Sequence, residues 1–300
     1  MPYMGYEPDQ MVGPRRRGLP MRMIMALLIA AFGLFVYYSH TEVNPVTGKK
    51  QRIALTVDQE MTLGLEAAPK MAREMGGALD PRKDAAAAFV ERIGSKIVAE
   101  SDASLSPYKN NFHFRLLDDP KTINAFALPG GQVFITKGLF DKLGDEAELA
   151  GVLGHEIGHV VGRHAAAQMA KGRLGQMLAV AVGIGASGDQ NQRGDRGAMA
   201  AAAMANQMMQ LHFGRDDESE ADRFGIRFMI EAGYDPRALL DVMNILKAAS
   251  GGSHTPEFLS THPLPETRLR AIEEVIKAEF PGKIPSSLTR GRKLKGDPGR

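Results

Sequence analysis

Gly154, Gly158 and Gly162 recur at every fourth position of the stretch GHEIGHVVGRHA (154–165). At that spacing the three share one face of an α-helix, and each costs about 1 kcal/mol relative to alanine in a helix interior. Such a helix needs a compensating neighbour, and close approach of a second backbone is the natural one. The same turns carry His155 and His159, four apart and therefore side by side. Two neutral imidazoles so placed can grip one cation, and Glu156 stands next to them, within reach of a water on that cation. A divalent ion lowers the pKa of its water from 15.7 toward about 7, and a glutamate can take the proton.

The chain has no cysteine, so any metal must be held by His, Asp and Glu. A third ligand does not come from His164. It follows His159 by five residues, about 500° of helical turn, which swings it off the face that His155 and His159 share. It is expected as a supporting or surface residue. Downstream, DDESEADRFG (216–225) places Glu218 and Asp222 four apart at a helix start, ahead of an apolar run. Acidic residues there also suit the helix dipole. Glu218 completes a two-histidine, one-carboxylate set with the fourth position open, and Asp222, one turn behind, is placed to orient a ligand histidine. Glu220 is expected to face solvent.

Arg15, Arg16, Arg17 and Arg22 precede an uncharged run, Met23 to Tyr38. Counting from Leu19 to Ser39, with Arg22 reaching back to the headgroups, gives the length a spanning helix needs. Tyr37 and Tyr38 sit where an interfacial aromatic belt would lie. YYSHTEV offers no small-x-small cleavage pattern, which favours an uncleaved anchor over a signal peptide. The arginines place the rest of the chain on the extracytoplasmic side of an inner membrane, as a single-pass protein. Charges nearly cancel, 37 basic against 35 acidic, and no concentrated basic face points to nucleic acid.

Five segments follow: a basic segment 1–18, the anchor 19–39, a polar linker 40–54, a main domain 55–280 and a flexible basic tail 281–300. Within the domain, helices are expected over Val57–Glu74 and Pro81–Glu100, then strands Phe112–Leu117, Ile123–Leu128 and Gln132–Thr136, the last two joined by PGG. A long helix runs from near Asp145 to about Lys171, and further helices start near Asp217, at Asp235–Pro236 and at Pro265. The fold class is mainly α with a small β-sheet. Residues 172–212, rich in Ala, Met and Gly, read as a helical hairpin covering the core. A sharper alternative is a mobile lid that brushes the membrane.

GHEIGHVVGRHA, ESEADRFG, NAFALPGG and THPLPETRL together resemble the membrane-associated zinc metallopeptidases of family M48, over roughly residues 55–280, and most closely its periplasmic, BepA-like branch. The resemblance implies a gluzincin core with one Zn²⁺ per chain on His155, His159 and Glu218. It also implies Glu156 as general base and Asp222 as a supporting acid or proton donor. Polypeptides would be the substrates, misfolded or misassembled envelope proteins among them. The single N-terminal anchor departs from HtpX-like members, which have several spans, and favours soluble or outer-envelope substrates. A latent or non-proteolytic zinc-bound assembly factor is the alternative, and a hydrolase of non-peptide bonds a third reading. NAFALPGGQVFIT offers an edge along which a substrate strand could pair, or an ordinary hairpin. His262, in a proline-bounded loop, reads as a plain loop residue, or as one able to swing onto the metal until substrate displaces it.

Overall fold

A computed structural model describes residues 20–39, 41–53, 55–186, 213–250, 256–263 and 266–294. The chain begins with α1 (Met21–Ser39), followed by a hairpin of β1 (Thr41–Val43) and β2 (Lys50–Arg52). Helices α2 (Val57–Glu74) and α3 (Ala85–Glu100) lead to a three-stranded sheet of β3 (His113–Leu117), β4 (Ala125–Leu128) and β5 (Gln132–Thr136). A short α4 (Lys137–Phe140) precedes α5 (Glu146–Val161) and α6 (His164–Ala186). The described chain resumes with α7 (Arg215–Glu231), α8 (Ala238–Ala249), α9 (Glu257–Thr261) and α10 (Glu266–Glu279). The expected basic segment 1–18, the second apolar arm of 172–212 and Pro265 lie outside the described residues.

The glycine pattern finds its partner. Helix α5 is buried from Ala147 through Val161, and α7 crosses it so closely that a β-carbon on Gly158 would stand 2.9 Å from the Ala221 carbonyl oxygen. A β-carbon on Gly154 would meet the Gly225 carbonyl oxygen at 3.3 Å, and one on Gly225 would meet the His155 nitrogen at 3.1 Å. Backbone contact replaces side-chain interdigitation here, and it aligns His155 and His159 with Glu218 and Asp222. Strand order is β3-β5-β4, with β3 parallel and β4 antiparallel to the central β5. Strand β4 is therefore an edge, and β5 is buried along its whole length.

Several expectations need correction. The long helix ends at Gly162 instead of running to Lys171. Arg163 adopts a left-handed φ of 54°, rare for a residue with a side chain. Its buried guanidinium donates to Glu60 and the Leu55 carbonyl and reaches Glu42, contacts that hold the turn. Helix α3 starts at Ala85, not Pro81, because Asp84 accepts the Ala87 N–H at 2.8 Å as N-cap while Pro81 stays in the preceding turn. The supposed linker holds a hairpin that caps α5: Asn44 donates to the Val161 carbonyl at 2.7 Å and Gln51 to the Gly162 carbonyl at 2.6 Å. These satisfy carbonyls that a helix end leaves without partners.

The segment 281–294 is no loose tail. Arg290 pairs with Asp145, Glu148 and Asp241, and the Leu294 N–H bonds the Gly144 carbonyl, with its side chain buried. The segment straps the start of α5; residues 295–300 lie outside the described chain. Helix α6 does not cover the core either: beyond Arg173 it packs along α1, where Gly33 lets Met177 come close.

Candidate metal centre

His155, His159, Glu218 and His262 each offer one ligand atom, and these atoms lie within 4.8 Å of one another in a buried cluster that could hold a metal ion. Helix α5 supplies the first two and α7 the third. His262 follows α9, held by the bond from its backbone N–H to the Phe258 carbonyl, with its ring stacked on the Phe258 ring. The two α5 imidazoles face each other through Nε2 at 3.1 Å. Glu218 lies 3.6 Å from each of these nitrogens. His262 Nδ1 is 2.9 Å from Glu218 Oε1 and 3.4 Å from His155 Nε2. The plain-loop reading of His262 therefore fails, since its ring is wholly buried inside the cluster.

The back nitrogens are held as well. His155 Nδ1 is 3.0 Å from Asp222 Oδ1, so its N–H donates to the carboxylate and Nε2 keeps its lone pair. His159 Nδ1 is 2.9 Å from His164 Nδ1. His164 thus supports His159 from behind, as one expectation had it, but is buried and not at the surface. The helix break at Gly162 and Arg163 turns it back onto His159, and its Nε2 faces Glu220 at 3.6 Å. Glu220, expected to face solvent, is largely covered and pairs with Lys49 at 2.9 Å. Its carboxyl is pulled down to about 2, chiefly by the neighbouring His164 imidazole and then by Lys49, against the opposing push of burial.

Arg268, on α10, escaped the sequence reading. It grips Asp222 with two bonds, 2.6 and 2.8 Å, and reaches Glu218 at 2.5 Å. Burial drives the Asp222 carboxyl upward, but Arg268 and then His155 outweigh it and hold it at about 2. Its only sequence signal was its place in THPLPETRL, six residues after His262, near two acids that would need a buried counter-charge.

The donor set fits a cation. Burial, with neighbouring His155, His164 and His262, holds His159 well below its ordinary value, which favours the neutral imidazole a metal would need. With Nδ1 of both rings engaged from behind, the two Nε2 atoms converge at 3.1 Å, close to the spacing of two imidazole ligands on one tetrahedral ion. Glu156 is fully buried, and neither of its oxygens has a hydrogen-bond partner among the described residues. Such a carboxylate calls for water or substrate at that point. Burial raises its pKa, only partly offset by His262 and His155, which suits a group that must accept and release a proton.

Two cavities adjoin the cluster. Ala127, Leu128 and Pro129, at the end of edge strand β4, form one wall of a narrow slot whose other wall includes His159, Val160 and Phe213. Beside Glu218 a groove of about 630 Å³ opens between Phe213, Leu259, Pro263 and Thr267.

The sequence model for Peptidase family M48 matches residues 84–276. The chain belongs to that family. A mitochondrial metalloendopeptidase OMA1 from Schizosaccharomyces pombe is 31% identical over 264 residues, covering 87% of this chain and 74% of that protein. The β-barrel assembly-enhancing protease of Yersinia pestis is 34% identical over 232 residues, 75% of this chain and 45% of the relative. That of Escherichia coli is 30% identical over 257 residues, 82% and 50%. The chain thus spans about half the length of these bacterial relatives. As a family member it is a metallopeptidase, a hydrolase of peptide bonds. The α+β architecture behind one N-terminal apolar helix agrees with the resemblance read from its motifs.

Proposed function

We propose that this protein is a zinc-dependent endopeptidase, anchored through α1 in an inner membrane with its catalytic domain on the periplasmic side, that degrades misfolded or misassembled envelope proteins. The observation that carries the reading is the convergence of His155 and His159 from one helix with Glu218 from another, beside the Glu156 carboxylate, which no described residue hydrogen-bonds. The names of the relatives, proteases in mitochondria and in β-barrel assembly, support the substrate class and weigh against a non-proteolytic assembly factor. The length and hydropathy of α1 support the anchor, and the arginines before it support the orientation.

In this reading His155, His159 and Glu218 would hold a zinc ion, which when bound would supply Lewis acidity for the scissile carbonyl and for water. Asp222, fixed by Arg268, keeps the His155 Nδ1 proton in place and so keeps Nε2 free. His164 does the same for His159. Glu156 accepts a proton from the attacking water and passes it to the leaving amine nitrogen. The substrate strand pairs along β4, which delivers its backbone to the slot at His159. His262, whose Nδ1 lies 2.9 Å from Glu218 Oε1, would share the cluster in the resting protein and give way when a substrate enters.

The test is Glu156→Gln in the full-length protein. It should keep its fold and its zinc, and lose cleavage of unfolded casein by about 10²–10⁴-fold, the usual worth of a positioned acid–base group. Casein digestion at the wild-type rate would refute the assignment.

A further inference from the structure

Helix α6 begins at the metal cluster and ends against the membrane anchor. Between Leu174 and Ala186 its only polar side chain is Gln176. Leu174, Met177, Leu178 and Ala181, at i, i+3, i+4 and i+7, are the more covered residues there, and Met177 meets Gly33 of α1. The opposite face carries Gly175, Gln176, Ala179, Val180 and Val182, with Val180 55% and Val182 71% exposed, so Gln176 is its one polar group. A helix apolar on the side away from its partner as well as toward it has no aqueous face. Helix α1 is the same, with Leu28, Phe32 and Phe35 about 60% or more exposed.

The two helices run antiparallel with a shared boundary. Arg173 and Ile53 line a hollow with Tyr37, and Arg52 lies over the Tyr38 ring at 4.5 Å. Cations and tyrosines thus gather at the end of α1 where the soluble domain begins, as at a membrane interface. From that level, thirteen residues of α6 extend about 20 Å beside α1, some two thirds of a hydrocarbon core about 30 Å thick.

We propose that the distal half of α6, Leu174–Ala186, is embedded in the lipid bilayer beside α1, with Val180 and Val182 facing acyl chains. The proposal rests on the reading of α1 as a membrane anchor. It makes the membrane attachment a helix pair and ties it to the catalytic cluster. His164, in bonding distance of His159, lies nine residues before Arg173, so α6 holds the cluster about 14 Å from the lipid surface.

The absence of cysteine makes the test clean, since a single introduced thiol is the only one. Val180→Cys, Val182→Cys, Leu28→Cys as the anchor control and Lys171→Cys as the surface control are reconstituted in full-length protein. The vesicles contain phosphatidylethanolamine and phosphatidylglycerol, and the probe is a charged maleimide. Apolar surroundings raise a thiol's pKa and cut its thiolate fraction about tenfold for each pH unit. Positions 28, 180 and 182 should therefore react at least about tenfold more slowly than 171. A bimane attached at 182 before reconstitution should be quenched by nitroxides on the acyl chains as strongly as one at 28. If 180 and 182 react as fast as 171 while 28 stays protected, α1 is an anchor but α6 is outside the bilayer, and the inference falls. A protected but unquenched 182 means a protein cover, which also overturns it. A reactive 28 removes the anchor reading itself and the inference with it.

Discussion

Replacing Arg268 with methionine keeps much of the side chain's bulk and removes its charge from between Asp222 and Glu218. In the folded protein the Asp222 carboxyl sits at about 2 against 3.8 when free, a preference worth about 2 kcal/mol. Leaving two buried carboxylates without their cation costs about 3–5 kcal/mol in comparable sites. For a domain of this size each kcal/mol moves the melting temperature by about 2–4 °C. The zinc-free full-length variant in detergent micelles should therefore melt about 6–20 °C below the wild type at pH 7. Because the folded Asp222 carboxyl lies below its free value, the stability it carries is present above pH 3.8 and is lost as pH falls toward 2. The difference between variant and wild type should accordingly narrow in acid. Thermal unfolding by circular dichroism across that range is the assay. A variant melting within about 2 °C of the wild type at pH 7, or a difference that does not change with pH, would refute the argument.

Two other substitutions probe the rings around the cluster. His164→Ala removes the partner of His159 Nδ1 and should weaken zinc binding about 10–100-fold in a chelator competition; unchanged affinity would count against that support. His262→Ala should alter both zinc affinity and the rate of peptide cleavage, because its ring lies between Glu218 and Glu156. If both stay at wild-type values, His262 is a packing residue and its proposed displacement by substrate is wrong.

The glycines at 154 and 158 announced a backbone-to-backbone crossing because a helix seldom tolerates such residues without one, and α7 provides it. Glu218 and Asp222 were legible for a related reason: acids four apart at the start of an apolar helix face the same way as the surface that must be buried. Local pattern did not reveal the end of α5. No proline marks it, and the left-handed turn at Arg163 depends on Glu42, Leu55 and Glu60, more than a hundred residues earlier in the chain. A continuous helix carries His164 off the face of His155 and His159, so the sequence leaves a supporting and a surface role open, and only the break turns its buried ring back onto His159. Arg268 and the strap around Arg290 were illegible in the same way, since a charged side chain shows its partners only once distant elements are packed. Hydrophobic periodicity found the apolar arm of α6 but could not say what it packs on, because a helix apolar all round has no preferred face.

Zinc K-edge X-ray absorption on the wild type and on Glu218→Gln examines the convergence from which the chemistry was derived. The wild type should bind one zinc through imidazole nitrogens and a carboxylate oxygen at about 2.0–2.2 Å, and Glu218→Gln should lose the metal or show altered coordination. An identical spectrum and stoichiometry in the two proteins would mean that α7 contributes no ligand, and the hydrolytic arrangement described for this site would be wrong.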